Sequence, residues 1–510
     1  MSHEPLRAYF VLGAMIVLIF LINVDYTAVN IAMLPISKDT GADLNDLQWL
    51  LSGYVLAWAS LVIPAGQMAD IYGKRRLLLY GVTVFTIASI LCGLLSSTAS
   101  LIAARILQGF GGALFVPSLY ALVFDCFPPE KRGFAIGMLG VGAGIGLAIG
   151  PTFGGYILSA FGWRWIFLIN GPLCLITIAI IMMTVAKEPK RLNDKKVDWQ
   201  GGSLLGLCLA TFMFALNQAE IWGITDTRLW IIMAIALGLG ALFLRTSRSK
   251  TDPLIPKGLF KNKPFVGCML GFGVYCYAFS TILVIVGLYL QNIMNLDPYE
   301  ASLIFLAMTL SLGVLSPFGG SMVDKIDPRI PICGGFLLLS ISILSLATFD
   351  TTTSQPMILA TLFCVGLGMG LSFPALNAMM MKVVDPSILS TASGTFIMCA
   401  GTANSLGVVI STSLFTGVGG LYFSKMVDTL SFPVSNEQLN DLLTFLGSAY
   451  RDESILQGFA PEQISKLTQL INGSLTDSMT WIMGSLCLLT ASACFYCYKT
   501  LSKECLSKHT

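Results

Sequence analysis

The chain has 510 residues, of which 55% are hydrophobic and only 11% charged, and its formal net charge is +2. A soluble domain carries about 25% charged residues, so most of this surface is not built for water, and the near-neutral balance argues against nucleic acid or an acidic polymer as a partner. The 13 cysteines sit mostly singly in apolar runs (Cys92, Cys174, Cys208, Cys364, Cys399) and the two histidines, His3 and His509, stand at the ends, so neither a metal site nor a disulfide framework is expected. No GxxxxGKS or GxxxxGKT loop is present, which argues against a nucleotide-driven pump, and no cofactor is expected.

Apolar runs recur along the chain, each long enough to cross roughly 30 Å of hydrocarbon as a helix. Lipid offers no partners for free backbone groups, so helices are the expected spanning element. Fourteen spans are expected near residues 8–33, 48–68, 77–96, 100–124, 134–159, 163–185, 199–217, 229–245, 265–291, 299–322, 330–349, 356–381, 390–416 and 479–499. The first is too long for a removed signal and has no small-residue cleavage site before the next span. Connections are short except for an outer loop at about 417–478. There, Pro461-Glu462-Gln463 opens an amphipathic stretch through Ile464, Leu467, Leu470 and Ile471, expected to form a short helix lying on the outer surface.

Of the 30 lysines and arginines, six (Lys38, Arg164, Arg228, Lys425, Arg451, Lys466) fall on the side opposite the termini. Arg105 lies within a span and all the others fall on the side of the termini. Basic residues accumulate on the inner side of a membrane, so both termini are expected in the cytoplasm. The chain also repeats itself. GFGGALFVPSL (Gly109–Leu119) is echoed by GLGMGLSFPAL (Gly366–Leu376), and GQMADIYGKRR (Gly66–Arg76) by GSMVDKIDPR (Gly320–Arg329), at offsets of 257 and 254 residues. A duplicated six-span unit with spans seven and eight inserted explains both offsets, and parallel repeats of this kind build rocking transporters with the binding site between the halves.

Two charges stand out because they lie inside spans. Asp25 is the only acid and Arg105 the only base well within one. Intramembrane ionisable residues are expensive and are expected to pair and to face the interior. At 1.5 Å per residue, Asp25 lies roughly 12 Å from the outer end of span one and Arg105 roughly 8 Å below that of span four, so the two are expected to meet. Their role is either to take up and release a proton or to act as a fixed ion pair holding the two spans together. Gly142, Gly146, Gly150 and Gly154 line one face of span five and permit close helix approach, and Pro151 removes a backbone donor and is expected to bend the helix. This face is expected to be a tight hinge against a span of the other half, or else ordinary close packing. After span two, Gly66 permits close approach and Asp70 is placed to accept hydrogen bonds at the positive end of a following helix. Lys74, Arg75 and Arg76 form a basic cluster there. Polar residues within apolar spans, namely Asn30, Tyr54, Gln108, Gln291, Asn377 and Asn404, are the candidate substrate contacts.

Five stretches share one further property. LINVDYTAVNIAMLP (Leu21–Pro35), WLLSGYVLAWASLVIPAGQMADIYGKRR (Trp49–Arg76), RILQGFGGA (Arg105–Ala113), GAGIGLAIGPTFGG (Gly142–Gly155) and WRWIFLINGP (Trp163–Pro172) resemble, in order and spacing, the fourteen-span drug:proton antiporter branch of the major facilitator superfamily. GLYLQ (Gly287–Gln291) fits as well. The resemblance implies an all-α membrane protein of the major facilitator fold: two six-helix bundles (1–190 and 264–510) joined by a two-helix linker insertion (191–263). It implies that spans one and four adjoin and line the central cavity, so that Asp25 and Arg105 couple a proton to transport. Gly66, Asp70, Gly73, Lys74 and Arg75 would form a cytoplasmic gate, and Gly142, Gly146, Gly150, Pro151, Gly154 and Gly155 the antiporter motif. Two departures are plain: no span of the second half holds an acid, and span thirteen, GTFIMCAGTANSLGVV (Gly394–Val409), lacks an arginine found in relatives.

The expected function is therefore proton-coupled export of amphipathic or hydrophobic small molecules by a monomer in a bacterial inner membrane. Its partners are the substrate, protons and the bilayer, with no nucleic acid or nucleotide. A narrow-substrate metabolite exporter or importer on the same fold is the alternative. A sensor would need a soluble signalling domain, and an enzyme clustered catalytic groups at one depth; neither is present in the sequence.

Overall fold

The computed structural model describes residues 4–41, 44–186, 196–223, 226–427, 438, 442 and 459–501. Fourteen helices are long and apolar enough to cross a membrane, and among the described residues there is no strand. The first half holds α1 (Glu4–Thr40), α2 (Leu44–Tyr72), α3 (Lys74–Leu94), α4 (Thr98–Cys126), α5 (Arg132–Phe161) and α6, which runs Arg164–Leu168 and, after a break at Ile169, Asn170–Thr184. The insertion is α7 (Trp199–Trp222) and α8 (Thr227–Ser249). The second half holds α9 (Lys263–Leu288), α10 (Pro298–Lys325), α11 (Arg329–Leu346), α12 (Gln355–Lys382), α13 (Leu389–Val427) and α14 (Pro461–Thr500).

Polar residues mark where the apolar helices begin. Ser97 accepts from the Ser100 amide at 3.3 Å to cap α4, and Asn262 accepts from Phe265 at 3.1 Å to cap α9. Asp297 and Glu300 form a reciprocal capping box at α10, with Pro298 in the first turn. Gly73 separates α2 from α3 with φ of 105°, a left-handed conformation that a side chain would strain.

The two halves repeat one packing scheme. α1 lies on α5, α2 on α4, α3 on α4 and α6; in the second half α9 lies on α13, α10 on α12, α11 on α12 and α14. The halves meet chiefly along α5 with α10 and α2 with α13, which are equivalent pairs under the repeat. The repeat read from GQMADIYGKRR and GSMVDKIDPR is thus realised as a pseudo-two-fold relation, both motifs closing the same end of the molecule. We call that end, which carries most of the lysines and arginines, the basic face.

The 417–478 region differs from the expectation. α13 continues to Val427, residues 428–458 lie outside the described residues apart from 438 and 442, and α14 starts at Pro461 as one 40-residue helix. The stretch from Pro461 is therefore not a separate surface helix but the first half of the last span. Leu467, Ile471, Leu475 and Met479 recur every fourth residue and are all fully buried, so one apolar stripe continues into the membrane segment without a break. At 1.5 Å per residue α14 is about 60 Å long, twice the roughly 30 Å of hydrocarbon.

Candidate functional site

Asp25 and Arg105 meet as α1 crosses α4. Arg105 Nη1 donates to Asp25 Oδ2 at 2.6 Å and to Gln108 Oε1 at 2.8 Å, and Arg105 Nε donates to the Leu50 carbonyl at 3.1 Å. The other carboxylate oxygen of Asp25 accepts from Gln108 Nε2 at 3.0 Å and Asn170 Nδ2 at 3.3 Å. Asn170 also donates to Ser89 Oγ at 2.9 Å, and Ser89 in turn to the Phe167 carbonyl. The Tyr54 ring lies 4.5 Å from the guanidinium carbon and the Phe167 ring 5.7 Å away. Asp25 is 1% exposed and Arg105 0%.

Every partner comes from α1–α4 and α6. The pair was expected to line the central cavity; instead it is enclosed within the first six-helix half, with Tyr54 and Phe167 over the guanidinium. The reason is energetic. Two charges out of water need their remaining lone pairs and N–H groups satisfied, and the bundle interior supplies Gln108, Asn170 and the Leu50 carbonyl. The break in α6 places Asn170 at the start of its second segment, facing Asp25. Two buried polar atoms here lack a hydrogen-bond partner, Arg105 Nη2 and the Tyr54 hydroxyl.

At the basic face two equivalent carboxylate contacts join the halves. Asp70 accepts from the amides of Ser390 at 2.9 Å and Thr391 at 2.8 Å and from the Thr391 hydroxyl at 2.7 Å. It thus receives the N-terminus of α13, a helix of the other half rather than the next helix along the chain. A Cβ on Gly66 would come within 2.9 Å of the Thr391 Cα, so only glycine allows the approach. By the repeat, Asp324 of α10 accepts from the Phe134 amide at the N-terminus of α5 at 3.2 Å and pairs with Lys382 at 2.8 Å. Gly320 lies there against the backbone of Gly133. Lys74 pairs with Asp125 at 2.5 Å and Arg75 donates to the Met182 carbonyl, so these two basic residues brace the first half and do not bridge the halves.

The glycine face of α5 is a correction. A Cβ at Gly142 would meet Ile16 at 2.9 Å, at Gly146 Asn23 at 2.9 Å, at Gly150 Thr27 Cβ at 3.0 Å and at Gly154 Ala28 at 2.7 Å. All four partners lie on α1, in the same half, while a Cβ on Gly155 would meet open space. The contact with the other half is made by a second glycine series: Gly137 against Pro317 at 2.8 Å, Gly140 against Ser316 at 2.8 Å and Gly144 against Gly313 at 3.2 Å. The backbone of α5 runs helical through Pro151, whose side chain, where a bend was expected, lies outside the described residues. Gly150→Val should cost about 1–3 kcal/mol by overpacking. We expect it to lower the unfolding temperature and abolish transport, whereas Gly155→Ala should leave both near wild type; thermal melting and vesicle uptake check this.

The candidate substrate contacts do not converge. Tyr54 and Gln108 belong to the ion-pair network. Asn377 is buried and donates to the Phe373 carbonyl of its own helix, Asn404 is half-buried on α13, and Gln291 is exposed in the turn Tyr289–Ile293 just beyond α9. Asn30 is on α1, its side chain outside the described residues. Aromatic side chains gather near the seam instead: Trp58 of α2 lies near Gly401 of α13, and Phe272, Tyr275, Phe373 and Phe396 form one cluster within the second half, with Phe272 and Phe396 stacked at 4.5 Å and Phe373 reaching Gly140 of α5. Four residues escaped the sequence reading: Ser89, Asn170, Asp324 and Lys382. The repeat aligns Asp324 with Asp70, so that signal was present, and Asn170 lies inside the quoted stretch WRWIFLINGP; Ser89 carried none beyond being polar. Two cysteines one turn apart on α14, Cys494 and Cys497, also went unread. Among the described residues no group of three metal-ligating side chains exists.

Known proteins resemble this chain throughout. The family description Major Facilitator Superfamily matches residues 15–408. The tetracenomycin C resistance and export protein of Streptomyces glaucescens is 31% identical over 434 residues, covering 84% of this chain and 79% of that protein. Multidrug resistance protein 3 of Bacillus subtilis is 28% identical over 431 residues, covering 83% of this chain and 82% of that one. Among solved structures, the proton:xylose symporter XylE superposes with a TM-score of 0.61 at 12% identity, over 98% of this chain and 97% of that one.

Proposed function

Since the chain belongs to the major facilitator superfamily and is an integral membrane transporter, we propose that it exports amphipathic or hydrophobic small molecules in exchange for protons. The relatives named for resistance and export support the substrate class and direction. The excess of basic residues supports placing the basic face in the cytoplasm, and the bacterial relatives an inner membrane.

One observation carries the proton coupling. Both oxygens of Asp25 are occupied by donors, from Arg105, Gln108 and Asn170. These bonds use three of the carboxylate's roughly four lone-pair sites, and an arginine side chain has no acceptor, so a proton added to Asp25 removes the charge that pairs with Arg105 and finds no acceptor in it. Protonation and the closed network therefore compete. Arg105, once released, keeps the Leu50 carbonyl, Gln108 and the Tyr54 ring. The burial of the pair means the network must open for a proton to enter, which makes uptake conditional on conformation.

The path from this switch to the other half is short. Asp25 lies two residues before Thr27, which packs on Gly150, and the other end of α5 packs through Gly137 and Gly144 on α10. A displacement of α1 is thereby passed along α5 to the interface between the halves. With the two carboxylate contacts made as latches, the basic face is shut; export requires that both open to admit substrate from that side. The test is purified protein in vesicles with an imposed pH gradient and a panel of amphipathic dyes. Gradient-dependent dye movement is expected; folded protein that moves none of them, with or without a gradient, overturns the reading. Relatives named for a single antibiotic favour a narrow-substrate exporter as the second reading, which the same panel would reveal by selectivity.

A further inference from the structure

The two inserted helices are not a passive tether. α7 packs on α2 of the first half and on α13 of the second. A Cβ on Gly206 would meet the Ser60 carbonyl at 2.7 Å, so α7 lies close against α2. A single apolar cluster joins Ala59, Val62 and Ile63 of α2, Met213 and Leu216 of α7, Phe243 of α8 and Met398 of α13. The insertion therefore lies along the seam where the halves meet.

At the basic face this seam ends on a buried carboxylate. Asp198, 7% exposed, caps α7 by accepting from the Gly201 amide at 2.8 Å, accepts from the Leu254 amide at 3.1 Å and pairs with Lys250. It thus ties together both ends of the insertion. Its own amide donates to Gln67 Oε1 at 3.0 Å, and Gln67 lies on α2 three residues before Asp70. The chain held in this way, with Lys196, residues 251–254, Pro256 and Lys257, walls a cavity of about 220 Å³ whose other lining residues include Asp70, Ser387 and Thr391.

We infer that the insertion is a third component of the latch at the basic face, with Asp198 as the positioning residue that holds it against Gln67 and so steadies the Asp70–α13 contact. This rests on the latch reading of Asp70. The ties to α2 are hydrogen bonds and close glycine packing, whereas the contact with α13 is apolar and lets surfaces slide. On opening, the insertion moves with the first half and parts from α13.

The test is hydrogen exchange on the whole protein in lipid nanodiscs, following the amides of Thr251, Asp252, Leu254, Ile255 and Lys257 and those of 389–395, in wild type, Asp198→Asn, Gln67→Leu and Asp70→Asn. Gln67→Leu removes only the acceptor on α2 and leaves the cap of α7 intact. A role confined to capping α7 therefore predicts no change at 389–395 in Gln67→Leu. Our inference predicts at least about five-fold faster exchange there in both Gln67→Leu and Asp198→Asn, the size expected from losing one buried hydrogen bond, with α3 and α4 unchanged. If Asp198→Asn fails to fold, Gln67→Leu carries the test alone. Faster exchange at 389–395 in Asp70→Asn but in neither of the other two overturns the inference while leaving the latch intact. No change in Asp70→Asn overturns both.

Discussion

Arg105→Ala should be among the most damaging single substitutions in the protein, and Asp25→Asn combined with Arg105→Gln should restore most of the lost stability without restoring gradient-driven transport. Removing one member of a buried pair leaves the other charged, dry and unpaired, at a cost of about 3–5 kcal/mol. Gln108 and Asn170 would still donate to Asp25 and offset part of this cost, but the carboxylate would have no cation beside it and Gln108 Oε1 would lose its donor. Replacing both charges removes the penalty, since neutral amides can satisfy each other and Gln108. Thermal unfolding of the two variants beside wild type measures the first half of the prediction and vesicle transport the second. A stable Arg105→Ala variant that transports normally would show that the pair contributes to neither.

The second large effect is expected at the latches. Asp70→Ala removes three hydrogen bonds to a carboxylate and the interaction of that charge with the positive end of α13. We expect a shift of about 2–3 kcal/mol toward the state open at the basic face, roughly 30- to 150-fold in the population ratio. Asp324→Ala should act in the same direction and more weakly, because it loses one backbone donor and the Lys382 pair. The double variant should exceed either single one, since the latches sit on different helix pairs and hold the halves in parallel. Distances between spin labels at the ends of α2 and α13 and of α5 and α10 report this directly. A double variant that stays shut would mean the close glycine contacts alone close this face.

Much of this was legible from the chain. Two lone charges in apolar spans, at similar depths, are expected to pair, and the duplicated loop motif held the signal, unread, of a second carboxylate at Asp324 equivalent to Asp70. The rest failed for identifiable reasons. α5 carries two glycine series, one through Gly137 and Gly144 and one through Gly142, Gly146, Gly150 and Gly154. Spacing shows that each series lies on a face but not which neighbour that face meets. The central cavity as the place of the ion pair came from the resemblance, since depth fixes height and not direction; Asn170, which donates to Asp25 within the first half, opens the second segment of α6 after its break. The first half of α14 read as a surface helix because its polar face dilutes the hydropathy, while the buried stripe of Leu467, Ile471 and Leu475 is what makes it continuous with the span.

The most direct test of the coupling is to record proton movement and substrate movement together, in vesicles holding either wild type or Asp25→Asn. Wild type should move protons opposite to substrate and drive substrate against its own gradient when a pH gradient is imposed. Asp25→Asn should still exchange labelled for unlabelled substrate, but move no protons and ignore the pH gradient. Undiminished proton exchange in Asp25→Asn would contradict the account.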